Sequence, residues 1–310
     1  MLHRFSPWFC AFLAPVLGCS VQSQPSGVAQ AAQKVGAGAD KDITRFSDEF
    51  DNPKTKSSWR HAFQEEGYVN QLERFDIGTT QPGWMLMMPY TSGWYKDYRG
   101  ILAFKEVQGD FVMTTRLRVN RRGGEGPPRT QYSLAGIMVR QLRTVTPQTW
   151  EPGQENYVFL STGAADAPGS YQFEVKTTIN SDSQLRISPA SSGDAILQVA
   201  RIGSYVITLK NENGVWSVHQ RYNHPGLSGT VQAGLTCYTD WPNVSKLNPQ
   251  QHNSTVIRNG TPDLVVLYDY VRYRRPKVPA SWAGKRLNSP QAVSDQELLQ
   301  YLGANAAAKE

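Results

Sequence analysis

The sequence predicts an all-β protein in which two antiparallel sheets pack face to face. Three observations carry this expectation. From Phe46 to about Arg275, apolar and polar residues alternate with period two, in runs bounded by Gly, Pro, Asn and Asp clusters. About a dozen such runs are present, no internal repeat is evident, and no long helical period interrupts them. The chain has 310 residues, 39% hydrophobic and 11% aromatic. That is enough for one large core, since a β-sandwich alone reaches about 200–250 residues.

The N-terminus stands apart from the folded part. Residues 1–19, "MLHRFSPWFCAFLAPVLGC", place Arg4 before an apolar stretch from Phe5 to Leu17, with Gly18 just ahead of Cys19. This reads as an export signal, too short to span a membrane. Val16-Leu17-Gly18-Cys19 resembles a bacterial lipoprotein box, which implies that signal removal leaves Cys19 as a lipid-bearing first residue and the only link to a membrane. Plain secretion is the other reading; the mature protein is exported in both. Residues 20–44 are rich in Ser, Gln, Ala and Gly without an apolar period, and read as a flexible tether.

Of the three cysteines, Cys10 and Cys19 belong to the leader, which leaves Cys237 without a partner in the folded part. No disulfide framework is available there, and Cys237, alternating with Val231, Ala233 and Leu235, is expected as a buried core thiol. The net charge of +6 is spread along the chain, and its longest basic cluster, Val271 to Lys277, sits at a strand end. Nucleic acid is not expected as a partner of an exported protein. An anionic polysaccharide or a membrane surface stays open.

The strand faces follow from the alternation. In "DFVMTTRLRV", Phe111, Met113, Leu117 and Val119 share one face, and Arg116 and Arg118 the other. In "YQFEVKTTIN", Phe173, Val175 and Ile179 oppose Gln172, Glu174, Lys176 and Thr178. Two runs flank Asn211-Glu212-Asn213-Gly214, a hairpin signal. "GWMLMMP" is expected to pack Trp84, Leu86 and Met88 into the core, and in the last strand Val265, Leu267, Asp269, Val271 and Tyr273 form one series. Between them, Pro242 to Asp263 holds three Asn-x-Ser/Thr triplets and reads as a polar surface loop. In the tail, residues 278–310, the Ser294-x-x-Glu297 spacing of a capping box predicts a short helix docked on the sandwich.

The stretches "RFSDEFDNPKTKSSWR", "GDFVMTTRLRV", "AGIMVRQ", "NYVFLSTG", "FEVKTTIN", "LQVARIGSYVITLKNENGVWSVH" and "VQAGLTCYTDW" occur in the order seen in concanavalin A-like (laminin G-like) jelly-roll domains. The DUF1349 type, related to sandwich modules of some family-43 glycoside hydrolases, is the nearest resemblance. It covers Arg45 to Arg275, within an expected sandwich of residues 45–277. The resemblance implies a curved two-sheet sandwich whose concave face binds glycans, and a structural calcium ion on the convex side.

Glycoside hydrolysis needs two carboxylates about 5–9.5 Å apart, which laminarinase-like members of the fold carry as Glu-x-Asp-x-x-Glu on one strand. Here Glu174 stands with Lys176 and no second carboxylate, so a catalytic dyad is not expected. In "YTSGWYKDYRG", aromatic residues mix with Lys96, Asp97 and Arg99 without clean alternation. A sugar stacks its apolar face on an aromatic ring and hydrogen-bonds through its hydroxyls, so Trp94, Tyr95, Tyr98, Arg99 and Trp241 form a candidate carbohydrate rim, with Arg140, Glu174 and Lys176 on the adjoining face. An Arg140–Glu174 ion pair, and aromatic loops that merely seal the sandwich, are the structural alternatives. Asp269, a carboxylate in an apolar series, needs a partner; calcium is one, with Asp48 and Asp51 as further ligands, and a salt bridge the other. Three function classes follow: a non-catalytic glycan-binding module, a polysaccharide-cleaving hydrolase or lyase, and a structural envelope protein.

Overall fold

The computed structural model describes residues 42–303. The expected export signal, Cys19 and all but the end of the expected tether lie outside the described residues. Within them the chain forms β1 (Arg60–His61), α1 (Ala62–Glu65), β2 (Leu72–Ile77), β3 (Met85–Pro89), β4 (Ile101–Val107), β5 (Phe111–Asn120), β6 (Ser133–Gln141) and β7 (Tyr157–Ala164). There follow β8 (Gln172–Ile179), β9 (Asp182–Pro189), β10 (Asp194–Ile202), β11 (Tyr205–Glu212), β12 (Val215–Asn223) and β13 (Val231–Tyr238). Two short helices, α2 (Trp241–Val244) and α3 (Pro249–Asn253), precede β14 (Val265–Arg274), and α4 (Asp295–Leu302) ends the described chain.

The strands make two antiparallel sheets of seven. The first runs β1-β4-β13-β6-β7-β8-β9, the second β12-β11-β10-β5-β14-β3-β2. Between them lies the main core, built from alternate residues of every central strand, as a half-buried pleated surface demands. The first sheet contributes Ile137, Val139, Leu160, Val175, Leu235 and Cys237; the second contributes Met113, Leu117, Val199, Val206 and Val266. Two tyrosines of β14 reach across this core: the Tyr268 hydroxyl lies 2.8 Å from the Thr236 carbonyl, and the Tyr273 hydroxyl 2.9 Å from that of Ala233. Each hydroxyl donates to a first-sheet carbonyl, so two otherwise costly buried groups are satisfied by joining the sheets.

Local sequence explains the elements. The β11–β12 turn has Asn213 and Gly214 both at positive φ, 54° and 82°, the geometry that matches strand twist in a tight hairpin. The capping box at Ser294 is formed, with its side chain accepting from the Glu297 amide and the Glu297 carboxylate accepting from that of Ser294. The tail then packs Trp282, Leu287, Val293, Leu298 and Leu302 on the outer face of the second sheet, over Val112, Ala200, Ile202, Ile207 and Leu209.

Four expectations of facing need correction. In β3 it is Met85 and Met87 that enter the core, because β2 and β14 set its register; Trp84 instead lies under the Arg116 and Arg118 guanidinium groups at 5.9 and 5.3 Å. In β14 a bulge at Asp269 shifts the alternation, so Val266 and Tyr268 face inward, then Val271 and Tyr273. Ile179, at the end of β8, is 42% exposed because the core has already closed over Phe173 and Val175. Residues 242–263 are exposed over much of their length, as a polar surface segment should be, but Val244, His252 and Asn253 turn inward, and the last two clamp the aromatic segment described next.

Candidate functional site

The outer face of the first sheet carries its own apolar cluster of Leu102, Phe104, Leu134, Met138, Tyr157, Phe159 and Tyr238, roofed by Ala62 and Trp94. The roof is the segment Tyr90–Gly100, held from the side by α3. The Gly93 amide donates to His252 Nε2 at 3.2 Å, the Arg99 amide to Asn253 Oδ1 at 2.9 Å, and Asn253 Nδ2 to the Asp97 carbonyl at 2.9 Å. Trp94 then turns inward, its Nε1 donating to the Ile101 carbonyl at 3.0 Å. Gly100 makes room for this: a Cβ there would stand 2.9 Å from the Trp94 indole.

Behind Trp94 lies a buried ionic cluster. The Arg140 guanidinium, wholly buried, grips Glu155 with two bonds of 2.8 and 3.0 Å, and reaches Glu66 Oε1 at 2.7 Å and Gln232 Oε1 at 2.9 Å. Arg99 pairs with Glu66 and, at 3.2 Å, with Glu155; Arg143 adds a third contact to Glu155 at 3.0 Å. Burial alone would raise the Glu155 carboxyl, but Arg140, Arg99 and Arg143 hold it down at about 2. Charges this deep persist only when paired this fully.

In front of Trp94 a pocket of about 210 Å³ opens, lined by Trp94, Tyr95, Tyr132, Lys176, Leu185, Tyr238 and Trp241. Its floor, Trp94, Lys176 and Tyr238, is buried; its rim, Tyr95, Tyr132, Leu185 and Trp241, is half-buried. Register assembles the floor and wall: β8 pairs Lys176 with Leu185 of β9, and β13 ends on Tyr238 opposite Leu134 of β6. Trp241 meets Tyr95 edge-on at 5.4 Å and Tyr98 at 5.2 Å between ring centres. Lys176 Nζ donates to the Trp94 carbonyl at 2.7 Å and lies 3.0 Å from Glu174 Oε1, to which the Tyr238 hydroxyl also donates at 3.2 Å. Burial pushes the Lys176 ammonium below its ordinary value, against the pull of Glu174, and pushes the Tyr238 phenol well above its own.

Three residues of this rim have backbones in the left-handed region without being glycine: Lys96 at φ 51°, Tyr132 at 53° and Asp240, just before Trp241, at 70°. Each such residue costs about 1–2 kcal/mol and persists only where its surroundings fix it. For Asp240 the fixing is visible, since its carboxylate accepts from Thr91 Oγ1 and the Thr261 amide, both at 2.6 Å, and from Asn243 Nδ2. Such strain gathers at ligand-holding sites.

The structure thus brings Trp94, Tyr95, Lys176 and Trp241 to one pocket, with Glu174 beneath it as partner of Lys176 and Tyr238. Tyr98 stands behind Trp241, its hydroxyl donating to the Leu247 carbonyl at 2.7 Å. Two expectations are overturned. Arg140 does not pair with Glu174 and, like Arg99, is spent in the buried cluster, so neither offers a guanidinium to a ligand. Trp94 is 1% exposed, so it is a structural wall of the pocket and not an open stacking platform. Sequence reasoning missed Tyr132 and Tyr238. Tyr238 was readable, because Cys237 faces the core and its neighbour must face outward; Tyr132 sits in a turn that shows no periodicity.

Two of the three carboxylates expected to hold calcium are engaged by protein groups. Asp48 Oδ1 accepts from the Phe50 amide at 2.9 Å and Oδ2 from Trp59 Nε1 at 3.0 Å, while Asp269 pairs with Arg116 at 3.2 Å. Asp51 is exposed, and no three acidic, His or Cys side chains converge as metal ligands among the described residues. A guanidinium beside Asp269 serves the charge that the ion was expected to serve.

No protein-family model matches the chain, and no curated protein matches it. Among solved structures it is similar to a functionally unknown protein from Saccharomyces cerevisiae, with a TM-score of 0.48, 14% identity, and 72% of this chain and 98% of that one covered. It is similar also to a xylan beta-1,4-xylosidase from Bacillus halodurans, with a TM-score of 0.47, 13% identity and 74% of this chain covered, and spans only 39% of that enzyme's length. A third is a legume lectin-like domain from Entamoeba histolytica, with a TM-score of 0.43, 7% identity, and 72% of this chain and 93% of that one covered. The fold rests on the sheets themselves: over the described residues the chain is a sandwich of two seven-stranded antiparallel sheets with a short C-terminal helix.

Proposed function

We propose that this protein is an exported sandwich of the cell envelope that binds a carbohydrate in the pocket between Tyr95, Tyr132 and Trp241 and does not cleave it. The observation that carries the reading is the pocket itself: half-buried aromatic rings around a hydrogen-bonding floor, set on strained backbone, on the outer face of one sheet. Aromatic faces suit the C–H face of a sugar ring, and few fixed polar groups suffice to orient it. Membership of the DUF1349 type, export and lipid anchoring through Cys19 belong to this proposal and rest on the sequence motifs.

A hydrolase reading lacks support because, among the described residues, no carboxylate lines the pocket and Glu174 lies buried beneath it. A purely structural role would leave no reason for three half-exposed aromatic residues to surround open space. The test is a broad glycan array probed with the exported chain, alongside Trp241→Ala. Binding by the parent that the substitution abolishes is the expected result. Absence of binding to every glycan overturns the reading.

A further inference from the structure

The pocket's charge arrangement bears on which sugars it admits, an inference that rests on the glycan-binding reading. Lys176 is the one charged side chain among the pocket's lining residues. It presents no free charge: of its three N–H donors, one meets the Trp94 carbonyl at 2.7 Å and one faces Glu174 Oε1 at 3.0 Å. The ammonium is boxed by the faces of Phe159 at 4.8 Å and of Tyr95 and Tyr238 at 5.5 Å each, so its remaining attraction is spent on rings of the protein itself. Glu174 is wholly buried beneath the lining, and its Oε2 has no hydrogen-bond partner among the described residues. The cation at the base of the pocket is therefore already balanced from below by a carboxylate with acceptor capacity to spare. Around the rim, Asp240 is saturated by Thr91, Thr261 and Asn243, and Lys96 is exposed, where solvent and salt screen it.

We propose that the pocket selects an uncharged sugar ring over a uronate or a sulfated one, and that Glu174 sets this selection by cancelling Lys176 from beneath. A carboxylate or sulfate on the ligand would meet no unpaired cation in the lining. A hydroxyl-bearing ring would be lost from water only on its apolar faces.

The test compares binding of the whole exported chain to neutral xylo-, cello- and laminari-oligosaccharides with binding to oligogalacturonate and a sulfated oligosaccharide, at low and high salt. The expected result is binding of a neutral class at least about tenfold tighter than either acidic one, unchanged by salt. Glu174→Gln, checked for folding by circular dichroism, is expected to raise acidic-sugar affinity about tenfold and to make it salt-sensitive. Acidic sugars bound as tightly as neutral ones by the parent, or a folded Glu174→Gln with an unchanged preference, overturns the proposal while the glycan-binding reading stands. If Glu174→Gln does not fold, the parent's preference and its salt dependence decide alone. Failure to bind either class overturns the reading beneath it as well.

Discussion

His252 holds Gly93 in place: its Nε2 accepts the Gly93 amide proton at 3.2 Å, and its Nδ1 faces Asn253 Oδ1 at 3.0 Å. The ring must be neutral to do this, and burial pushes it down to about 4. A histidine lowered in the folded state contributes stability that is complete above its ordinary value of 6.5 and is lost as pH falls towards about 4. Because the ring is almost wholly buried, the contribution is about 3 kcal/mol. His61 and His219, each lowered to about 4 by burial, act in the same direction. The melting temperature is expected to fall steadily from pH 6.5 to pH 4 in a thermal-denaturation series, with a shallower slope for His252→Gln. A flat profile over that window would contradict the burial of these rings.

Trp241 and Trp94 should separate binding from stability. Trp94→Ala empties a fully buried site and is expected to cost about 3–5 kcal/mol in chemical denaturation. Trp241→Ala, at the half-buried rim, should cost about 1–2 kcal/mol and yet lose at least about tenfold in glycan affinity. Equal losses of stability in the two would place Trp241 in the core after all.

The carboxylate of Glu155 serves three guanidinium groups at once. Glu155→Gln leaves Glu66 as the one carboxylate for Arg99 and Arg140 and leaves Arg143 with only the Gln154 amide oxygen, and is expected to destabilise the fold by about 3–5 kcal/mol. Urea denaturation reads this directly, and a cost under about 1 kcal/mol would mean that the cluster is open to water.

Gly100→Ala places a methyl group 2.9 Å from the Trp94 indole and 3.1 Å from the Gly93 carbonyl. Something must shift, at about 1–3 kcal/mol. Weakened glycan binding should accompany the loss of stability, since Trp94 is also a wall of the pocket.

The carboxylates of Asp48 are taken by Phe50 and Trp59 and that of Asp269 by Arg116, so chelators should leave the melting temperature unchanged. A fall on adding a calcium chelator would show ligands beyond those two.

The sandwich was legible in the chain because strand alternation is a local property: the faces of Phe111 to Val119 and of Phe173 to Lys176 are as the sequence indicates, as are the Asn213-Gly214 hairpin, the buried Cys237 thiol and the Ser294 capping box. The bulge at Asp269 was hidden because one inserted residue reverses every later facing, and only the partner strand reveals it. The pocket was legible in part. Aromatic content marked Tyr95 and Trp241, whereas the fates of Arg99 and Arg140 depended on Glu66 and Glu155, far away in sequence and brought close only by the sheet. The clamp by His252 and Asn253 was invisible for the same reason: a run of polar residues looks alike whether it is hydrated or spends its hydrogen bonds on another segment.

The tail from Trp282 to Leu302 seals the outer face of the second sheet, whereas the pocket opens on the outer face of the first. The two sides of the sandwich are therefore unequal: the tail covers the outer face of one sheet, and the pocket of the proposed function opens on the outer face of the other. Capture on a sensor chip through α4, by way of the exposed Tyr301→Cys, would orient every molecule with its binding side towards the flow, whereas random coupling through lysines would block a share of them. A higher fraction of active molecules after oriented capture would report, without any further structure, that the guest enters from the side opposite the tail.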